Sequence, residues 1–283
     1  SGTRHTLMEM KHYNIVLTIA GSDSGGGAGV QADIKTISAC GCYAASAITA
    51  VTVQNTLGVN AVSAVPVDIL EGQIDAVLSD IGADAVKIGM LHSSEVVRCV
   101  RKMLDKYNVK NVVLDPVMVS TSGHRLIEEE AIASLVSDLL PRARVITPNI
   151  PEAEILLGGE QLALQKDLPD AARRLADKCG ASVLLKAGHL TEEKLVDIFY
   201  DVEDGKVYEL PSARIHTRNT HGTGCTLSSA FASMLAKGMS LPDAAAAAKD
   251  YINEAIIAGA EYEIGHGFGP VKHFYKIWDE SQG

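Results

Sequence analysis

Short apolar runs alternate along the chain with segments whose apolar residues recur at helical spacing. The apolar run at 14–20 precedes a Gly-rich turn at 21–29, and a helical pattern through Val30, Ile34 and Ile37 follows it. This order predicts a strand, a loop and a helix. The alternation continues, and we predict strands at 47–53, 85–88, 112–114, 144–147 and 183–186 and helices at 67–78, 95–104, 168–178, 225–236 and 241–258.

The predicted strands are continuously apolar, which is typical of a mostly parallel sheet covered by helices on both faces. Two later runs, 195–200 and 206–210, flank a turn at 203–205 and predict an antiparallel hairpin at one sheet edge. The expected fold class is α/β, a three-layer sandwich. Residues 10–283 contain no linker, charge block or repeat, so we expect one domain, and residues 1–9 are interpreted as an expression remnant.

Composition narrows the range of partners. Hydrophobic residues make up 47% of the 283 residues and charged residues 21%, which is typical of a folded globular chain. The formal net charge of −10 argues against a nucleic-acid-binding protein, because such proteins depend on clustered Lys and Arg. No apolar run is long enough to span a bilayer, so no membrane insertion is expected. The five cysteines lack C-x-x-C spacing, which favours a reducing cytoplasm.

The Gly-rich turn at 20–29 lies where an open α/β sheet places its ligands, at the carboxyl end of a strand. Residues 27–32 satisfy G-x-G-x-x-A, but a dinucleotide site needs an acidic residue about 20 positions later, and none lies between Asp33 and Asp68. A Walker A sequence is also absent. The alternative is a tight turn that requires glycine for its backbone alone.

A second Gly-containing segment, 219–226, precedes a long apolar helix. Its residues Gly222, Thr223, Gly224 and Cys225 would present free backbone N–H groups at the positive end of the helix dipole, which is a candidate anion hole for a transferring phosphoryl group. The alternative is ordinary capping by Gly and Thr. Cys225 is either a small buried apolar residue or a thiol whose pKa the helix N-terminus lowers.

Three oxygen-bearing side chains follow predicted strands. Asn149 and Glu152 follow the strand at 144–147, and Asp115 follows the strand at 112–114. Such ligands suit Mg²⁺, which keeps several waters and takes few protein ligands. The alternatives are helix capping by Asn149 and Glu152 and a turn role for Asp115.

Lys186 ends a further predicted strand and would place an ammonium in the same crevice as a phosphate ligand. The alternative is a surface lysine whose apolar stem is buried. Four histidines also lie in Gly-containing loops, and each by itself is more often structural than catalytic: His124, His189, His221 and His266.

Eight ordered motifs together resemble the bacterial hydroxymethylpyrimidine (phosphate) kinases of thiamine biosynthesis, which have the ribokinase-like fold. The resemblance extends over nearly the whole chain from Met10. Its motifs are AGSDSGGGAGVQADIKT at 20–36, AITAVTVQNT at 47–56, KIGM at 87–90, 113–117, 147–153, 186–189, 219–226 and 265–270.

The resemblance implies an ATP- and Mg²⁺-dependent enzyme that phosphorylates 4-amino-5-hydroxymethyl-2-methylpyrimidine and then its monophosphate, in one site of a homodimer. Gln54 would recognise the pyrimidine edge, since a carboxamide offers one donor and one acceptor. The resemblance also implies that Gly21 and Asp33 line the ring pocket and that Met90 and Val117 pack on the ring.

The same resemblance assigns the phosphate site. Gly222 to Cys225 would form the anion hole, Lys186 would hold phosphate, and Mg²⁺ would be organised by Asp115, Asn149 and Glu152. Cys225 stands where the broader ribokinase group has an aspartate base, so it is the candidate base, although positioning and Mg²⁺ supply most of the catalysis in phosphoryl transfer.

Three other functions compete with this interpretation. A pyridoxal or pyridoxine kinase of the same fold would bind a similar flat ring bearing a hydroxymethyl group, and Gln54 argues against it. An NAD(P)-dependent oxidoreductase lacks its ribose-binding acid here. A non-catalytic ligand-binding protein would need neither the candidate anion hole nor Glu152.

Overall fold

The structure is a computed structural model that describes residues 9–118, 127–188, 190, 194–213 and 215–278. The candidate loop histidines His124 and His189 lie outside these residues, as does nearly all of the segment 1–9 that was interpreted as an expression remnant. Within the described part of the chain, no helix has the length and apolar character needed to cross a membrane.

The described strands form one sheet in the order β3-β2-β1-β4-β5-β6-β7-β8-β9. Strands β2, β1, β4, β5, β6 and β7 run parallel, whereas β3 pairs antiparallel with β2, and β8 and β9 form an antiparallel hairpin beside β7. The strands are β1 (Ile15–Ser22), β2 (Tyr43–Asn55), β3 (Gly58–Ala64), β4 (Ala85–Ile88), β5 (Val112–Leu114), β6 (Val145–Ile146), β7 (Ser182–Leu185), β8 (Lys194–Asp201) and β9 (Lys206–Ala213).

Helices connect the parallel strands and cover both faces of the sheet. The α-helices are α1 (Gly29–Ala39), α2 (Val67–Ala76), α3 (Ser94–Lys106), α4 (Glu129–Ser134), α5 (Ile150–Leu156), α6 (Leu168–Cys179), α7 (Thr223–Ala236) and α8 (Leu241–Gly259). Short π-helical turns continue α2 at Val77–Ile81 and α4 at Leu135–Leu139. The predicted three-layer α/β sandwich is confirmed.

Alternate residues of the central strands build two apolar cores. Val86 and Ile88 of β4 pack with α2, α3 and α6 on one face, while Ala85 packs with α1, α7 and α8 on the other. Burial on both faces explains why these strands read as continuously apolar.

The structure adds one sheet edge that the pattern did not predict. Strand β3 is mostly exposed and mixes Gly, Asn and Ser with its apolar residues, so it lacks the apolar run that marked the other strands. Together with the predicted β8–β9 hairpin, it gives the sheet an antiparallel extension at each end.

Candidate active site

A large cavity lies at the carboxyl ends of the central parallel strands. Its volume is about 1390 Å³, more than the roughly 300–1,000 Å³ typical of a pocket for one small ligand. Its walls come from the loops after β1, β4, β5, β6 and β7 and from the segments before α7 and after α8. The cavity therefore has room for two ligands side by side.

Four of the residues expected around the pyrimidine ring meet in one part of this cavity. Gly21, Gln54, Met90 and Val117 all line it. A Cβ built on Gly21 would lie 2.7 Å from the Met90 methyl carbon, so glycine lets the strand end approach that side chain. Thr52 donates a hydrogen bond of 3.0 Å to Gln54 Oε1 and so orients the carboxamide.

Asp33 does not line the cavity, so the expectation that it forms part of the ring pocket disagrees with the structure. Its side chain on α1 is fully buried and forms an ion pair with Lys87 of β4 at 2.9 Å. A buried carboxylate without a partner is costly, and Asp33 avoids this cost by pairing with Lys87 inside the protein.

Glycine creates the turn that begins α7. Gly222 precedes the helix with φ +79°, and a Cβ there would lie 1.8 Å from the carbonyl oxygen of Gly27. The two Gly-rich loops therefore touch backbone to backbone. The positive φ and the close contact each require glycine at this position. The first-turn residues Thr223, Gly224 and Cys225 all line the cavity, where free N–H groups of a helix N-terminus favour an anion.

Lys186 and Asp115 lie against this turn. A Cβ built on Gly224 would lie 3.3 Å from Lys186 Nζ and 3.4 Å from Asp115 Oδ2. Burial by itself would lower the pKa of Lys186, but the neighbouring carboxylates, Asp115 first and then Glu152, outweigh it and raise that pKa. Lys186 therefore carries a positive charge beside the candidate anion hole, only 16% exposed.

Of the two alternatives for Cys225, a small buried side chain and a thiol whose pKa the helix N-terminus lowers, the pKa agrees with the first. Burial raises the pKa above its ordinary value of 9.0, and it outweighs the opposing effects of the Lys87 charge and a backbone hydrogen bond from Gly29. At neutral pH, the ligand-free protein holds this side chain mainly as a thiol.

Asn149 and Glu152 have the capping role that was the alternative for their motif, and they also lie at the cavity. They form a capping box on α5, in which Asn149 Oδ1 accepts from the Glu152 amide at 2.9 Å and Glu152 Oε1 accepts from the Asn149 amide at 3.0 Å. Both also line the cavity. Capping therefore fixes these side chains at the site.

The carboxylates Asp115 and Glu152 suit a divalent cation. Burial, followed by the nearby Asp115 charge, raises the pKa of Glu152 from 4.5 to about 7. A cation between the two would relieve this repulsion. Among the described residues, no group of three or more His, Cys, Asp or Glu side chains is arranged to hold a metal. The two carboxylates by themselves fit Mg²⁺, which takes one or two carboxylates together with water and phosphate oxygens.

The sequence pattern did not indicate a side-chain hydrogen bond that joins the two Gly-rich loops. The Asp23 carboxylate lies 2.9 Å from His221 Nε2 and accepts backbone N–H groups of Gly25, Gly27 and Ala28. Burial would raise the pKa of Asp23, but the His221 hydrogen bond and the amides outweigh it and lower that pKa. An aspartate inside a glycine run and a histidine directly before Gly222 were the available signals.

The other end of the cavity is apolar and contains a second pair that the sequence did not indicate. Lys249 Nζ lies 2.8 Å from Asp197 Oδ2, and Asp197 Oδ1 accepts the Ala187 amide next to Lys186. The apolar side chains around this end come from β8, α7, α8 and the segment before α7: Leu195, Ile215, Leu227, Ile252 and Ile256. Such a surface can receive a flat aromatic base while the phosphates extend toward Gly224.

A mostly parallel α/β sheet with a helix-start anion hole, a buried lysine and paired carboxylates at its carboxyl edge defines an ATP-dependent small-molecule kinase of the ribokinase-like class. The family model described as phosphomethylpyrimidine kinase matches residues 23–272. A hydroxymethylpyrimidine/phosphomethylpyrimidine kinase of Rhizobium meliloti (strain 1021) is 47% identical over 266 residues, 94% of this chain and 99% of that protein. The chain belongs to the phosphomethylpyrimidine kinase family.

Two solved structures place this family beside another vitamin kinase. A phosphomethylpyrimidine kinase of Clostridium difficile 630 has a TM-score of 0.75 and 45% identity, covering 86% of this chain and 99% of its own. A Bacillus subtilis pyridoxal kinase in an ADP complex has a TM-score of 0.86 and 36% identity, covering 95% of this chain and 100% of its own. The TM-score is higher for the pyridoxal kinase, whereas the sequence identity is higher for the phosphomethylpyrimidine kinase. A shared fold does not by itself fix the substrate.

Proposed function

We propose that the protein transfers the γ-phosphate of ATP to the hydroxymethyl oxygen of 4-amino-5-hydroxymethyl-2-methylpyrimidine, and then a second phosphate to the resulting monophosphate. The observation that carries this proposal is that one cavity contains both the candidate ring pocket and the candidate phosphate site formed by Gly222 to Cys225. Family membership supports the same activity, since the relative from Rhizobium meliloti is named for both kinase activities, on the hydroxymethylpyrimidine and on the phosphomethylpyrimidine.

In the proposed mechanism, the residues of this chain act mainly by position and charge. Lys186 holds the phosphate oxygens, and the amides at the start of α7 receive the charge that spreads over the transferring phosphoryl group. Gly21, Met90 and Val117 hold the pyrimidine ring so that its hydroxymethyl oxygen faces this site, while Gln54 pairs with its edge.

Asp115 and Glu152 would hold Mg²⁺ through its waters, with Asn149 fixing Glu152 by the capping box. When bound, Mg²⁺ supplies neutralisation of the phosphate charge. The raised pKa of Glu152 supports this assignment, because a carboxyl that resists ionisation beside another carboxylate gains most from a neighbouring cation.

Cys225 would accept the proton of the attacking hydroxyl in the fraction of enzyme in which it is ionised. Since the pKa of the thiol is raised, this fraction grows as the pH rises. The contribution is expected to be modest, because phosphoryl transfer depends more on positioning and electrostatics than on a base.

Pyridoxal kinase is the second candidate, and the observation that favours it is the TM-score of 0.86 to the Bacillus subtilis enzyme. Both candidates use the same phosphate site. Gln54 is the feature that argues for the pyrimidine, since its amide matches the donor and acceptor pattern of an aminopyrimidine edge.

We further propose that the enzyme is a single-domain cytoplasmic homodimer. One sheet that includes every described strand supports a single domain. The five free cysteines fit a reducing compartment. Exposed valines on the β2–β3 extension, including Val51 and Val53, support a dimer that covers this edge, since exposed apolar patches commonly mark interfaces.

A coupled ADP-release assay with Mg²⁺-ATP tests the proposed substrate. The hydroxymethylpyrimidine, its monophosphate, pyridoxal and ribose are offered separately at equal concentration. Turnover with the first two that exceeds turnover with pyridoxal by at least about tenfold supports the proposal. Preference for pyridoxal would retain the phosphate site but reject the assignment of Gln54.

A further inference from the structure

Lys87 lies in the middle of β4 and is one of the largest fully buried side chains among the described residues. Val86 and Ile88 point toward the α2, α3 and α6 core, so Lys87 occupies the opposite face, on the side of α1 and α7. Its Nζ lies 2.9 Å from both carboxylate oxygens of Asp33. A charged residue in this position is costly unless its charge is used or fully compensated.

Asp33 is the centre of a completed network. In addition to Lys87, it accepts the Thr18 hydroxyl at 2.6 Å and the Ser229 hydroxyl at 2.6 Å. These partners tie together four elements: β1, α1, β4 and α7. The network therefore holds the Lys87 ammonium in one place.

This network lies one helical turn below the thiol of Cys225. Ser229 follows Cys225 by four residues on α7, and Asp33 follows Gly29 by four residues on α1, so each pair shares a helix face. Gly29 itself contributes a backbone hydrogen bond to Cys225. The Lys87 ammonium also reaches the carboxyl edge of the sheet, where a Cβ on Gly89 would lie 3.0 Å from Nζ.

We propose that Lys87 is a positioning residue whose buried charge, fixed by Asp33, stabilises the ionised form of Cys225 from beneath the active site. This inference deepens the proposed function and rests on the role given there to the Cys225 thiol. Asp33 then serves to hold the lysine, which accounts for its place outside the ring pocket.

Charged groups from several elements surround the thiol. Lys87 favours its ionisation, whereas Asp33 on α1 and Asp115 after β5 oppose it. The Cys225 charge in turn affects Lys186 after β7. The effect of Lys87 on the thiol is larger than the opposing effect of Asp33, so the pair on balance offsets part of the cost of burying a thiolate at this position.

The test measures the rate at which iodoacetamide alkylates Cys225, followed by mass spectrometry of the peptide that contains it. The thiol lines the cavity and is partly exposed, while the other four cysteines are buried. The variants are Lys87→Gln, which can still donate to Asp33, and the paired change Asp33→Asn with Lys87→Met, which removes both charges. Lys110→Met, an exposed lysine, is the matched control.

Loss of the Lys87 charge should shift the thiol toward its neutral form, so alkylation at a fixed pH of about 8 should slow by about tenfold or more in Lys87→Gln and not in the control. The paired variant also loses the opposing charge of Asp33, so its alkylation should slow by a smaller factor. The hydroxyls of Thr18 and Ser229 can donate or accept, so the paired variant retains its hydrogen bonds and should fold. Slowed alkylation in either variant, provided that it folds, supports the inference. Wild-type alkylation in a folded variant without Lys87 would overturn the inference.

A kinetic comparison separates action through the thiol from direct action on phosphate. In a Cys225→Ala background, loss of Lys87 should lower kcat no further, since the two residues act as one unit. An equal further loss in that background would contradict the inference. The alkylation result does not require turnover, so a protein that fails to phosphorylate the pyrimidine but shows slowed alkylation would reject the proposed function alone.

Discussion

At the scale of single residues, the site depends on side chains whose neighbours decide their charge. Lys186 remains charged despite burial because Asp115 and Glu152 face it. Cys225 remains mainly protonated because burial outweighs the cations near it. These states follow from the assembled site and not from local sequence, since every group that sets them comes from a different element.

Gln54→Ala should weaken pyrimidine binding and leave ATP binding unchanged. The substitution removes up to two hydrogen bonds to the ring edge, which corresponds to a roughly tenfold rise in KM for the pyrimidine. Steady-state kinetics with each substrate varied in turn measures the split. An equal rise in KM for ATP would reject the role of Gln54 in ring recognition.

Cys225→Ala should retain nucleotide binding and slow transfer by up to about a hundredfold, the lower range for loss of a general base. In addition, kcat of the unsubstituted enzyme should rise with pH above neutrality, since the thiol pKa is raised, and this rise should disappear in the variant. Isothermal titration with ADP and a pH–rate profile test both statements. Unchanged turnover would remove Cys225 from proton transfer.

Asp23→Asn should loosen the contact between the two Gly-rich loops. The aspartate holds three backbone amides and His221, so the change should lower the free energy of unfolding by about 1–3 kcal/mol and reduce kcat/KM for both substrates. Thermal unfolding and kinetics measure the effect, and Asp68→Asn on the exposed start of α2 is the control. A loss confined to one substrate would contradict the proposed coupling of the loops.

At the scale of elements, the residues after β1 and those before α7 are fixed by packing among glycines. Gly222 approaches Gly27, and Gly267 approaches the carbonyl of Thr56, which also accepts the Phe268 amide at 2.9 Å. The C-terminal segment after α8 therefore closes one side of the cavity. Its anchoring determines whether the anion hole keeps its shape.

His273 anchors this segment and should make stability depend on pH. It is buried, its Nε2 lies 3.0 Å from Thr226 Oγ1 of α7, and burial lowers its pKa from 6.5 to about 4. Because the unfolded chain binds the proton first, stability is fully present above pH 6.5 and falls as the pH drops toward 4. The loss attributable to this residue is about 3 kcal/mol, from 1.36 kcal/mol per unit.

Urea unfolding between pH 4 and 7.5 measures this loss. His273→Gln, which keeps a polar partner for Thr226, should flatten the slope between pH 4 and 6.5. An unchanged slope in that variant would assign the acid sensitivity to other groups. The exposed His216 provides the control, since its replacement by Gln should leave the slope intact.

The elements differ in how far the sequence could predict them. Strand β4 and helix α8 were predicted within a few residues, because β4 is a continuously buried apolar run and the buried residues of α8 recur at helical spacing. Strand β3 was not, because its pairing with β2 depends on tertiary contact and its own residues are exposed. The residues that line the cavity were predictable because they lie in loops after strands. The partners of Asp33 and Asp23 were not predictable, because contacts between residues 54 and 198 positions apart leave no local signal in the sequence.

At the scale of the whole molecule, the sheet has an antiparallel extension at each end. The β2–β3 extension exposes Val51 and Val53 on one face. It also carries Gln54 into the cavity, so a partner seated on this extension would lie next to the ring pocket.

Val53→Glu should convert the proposed dimer to a monomer, because a charge at the centre of an apolar interface is left unpaired. Light scattering after size exclusion measures the mass. Val207→Glu on β9 is the matched control, since that valine is 44% exposed compared with 57% for Val53 but lies at the other end of the sheet. A monomeric protein without any substitution, or dissociation by both variants alike, would contradict a dimer through β2–β3.

Two successive phosphoryl transfers on a pyrimidine in one site are tested most directly by a single reaction of the protein with Mg²⁺-ATP and 4-amino-5-hydroxymethyl-2-methylpyrimidine, followed by mass spectrometry over time. We expect the monophosphate to rise first and then to be converted to the diphosphate, and we expect Lys186→Ala to abolish both products. Absence of any phosphorylated pyrimidine, or loss of only one step in that variant, would contradict the proposed function.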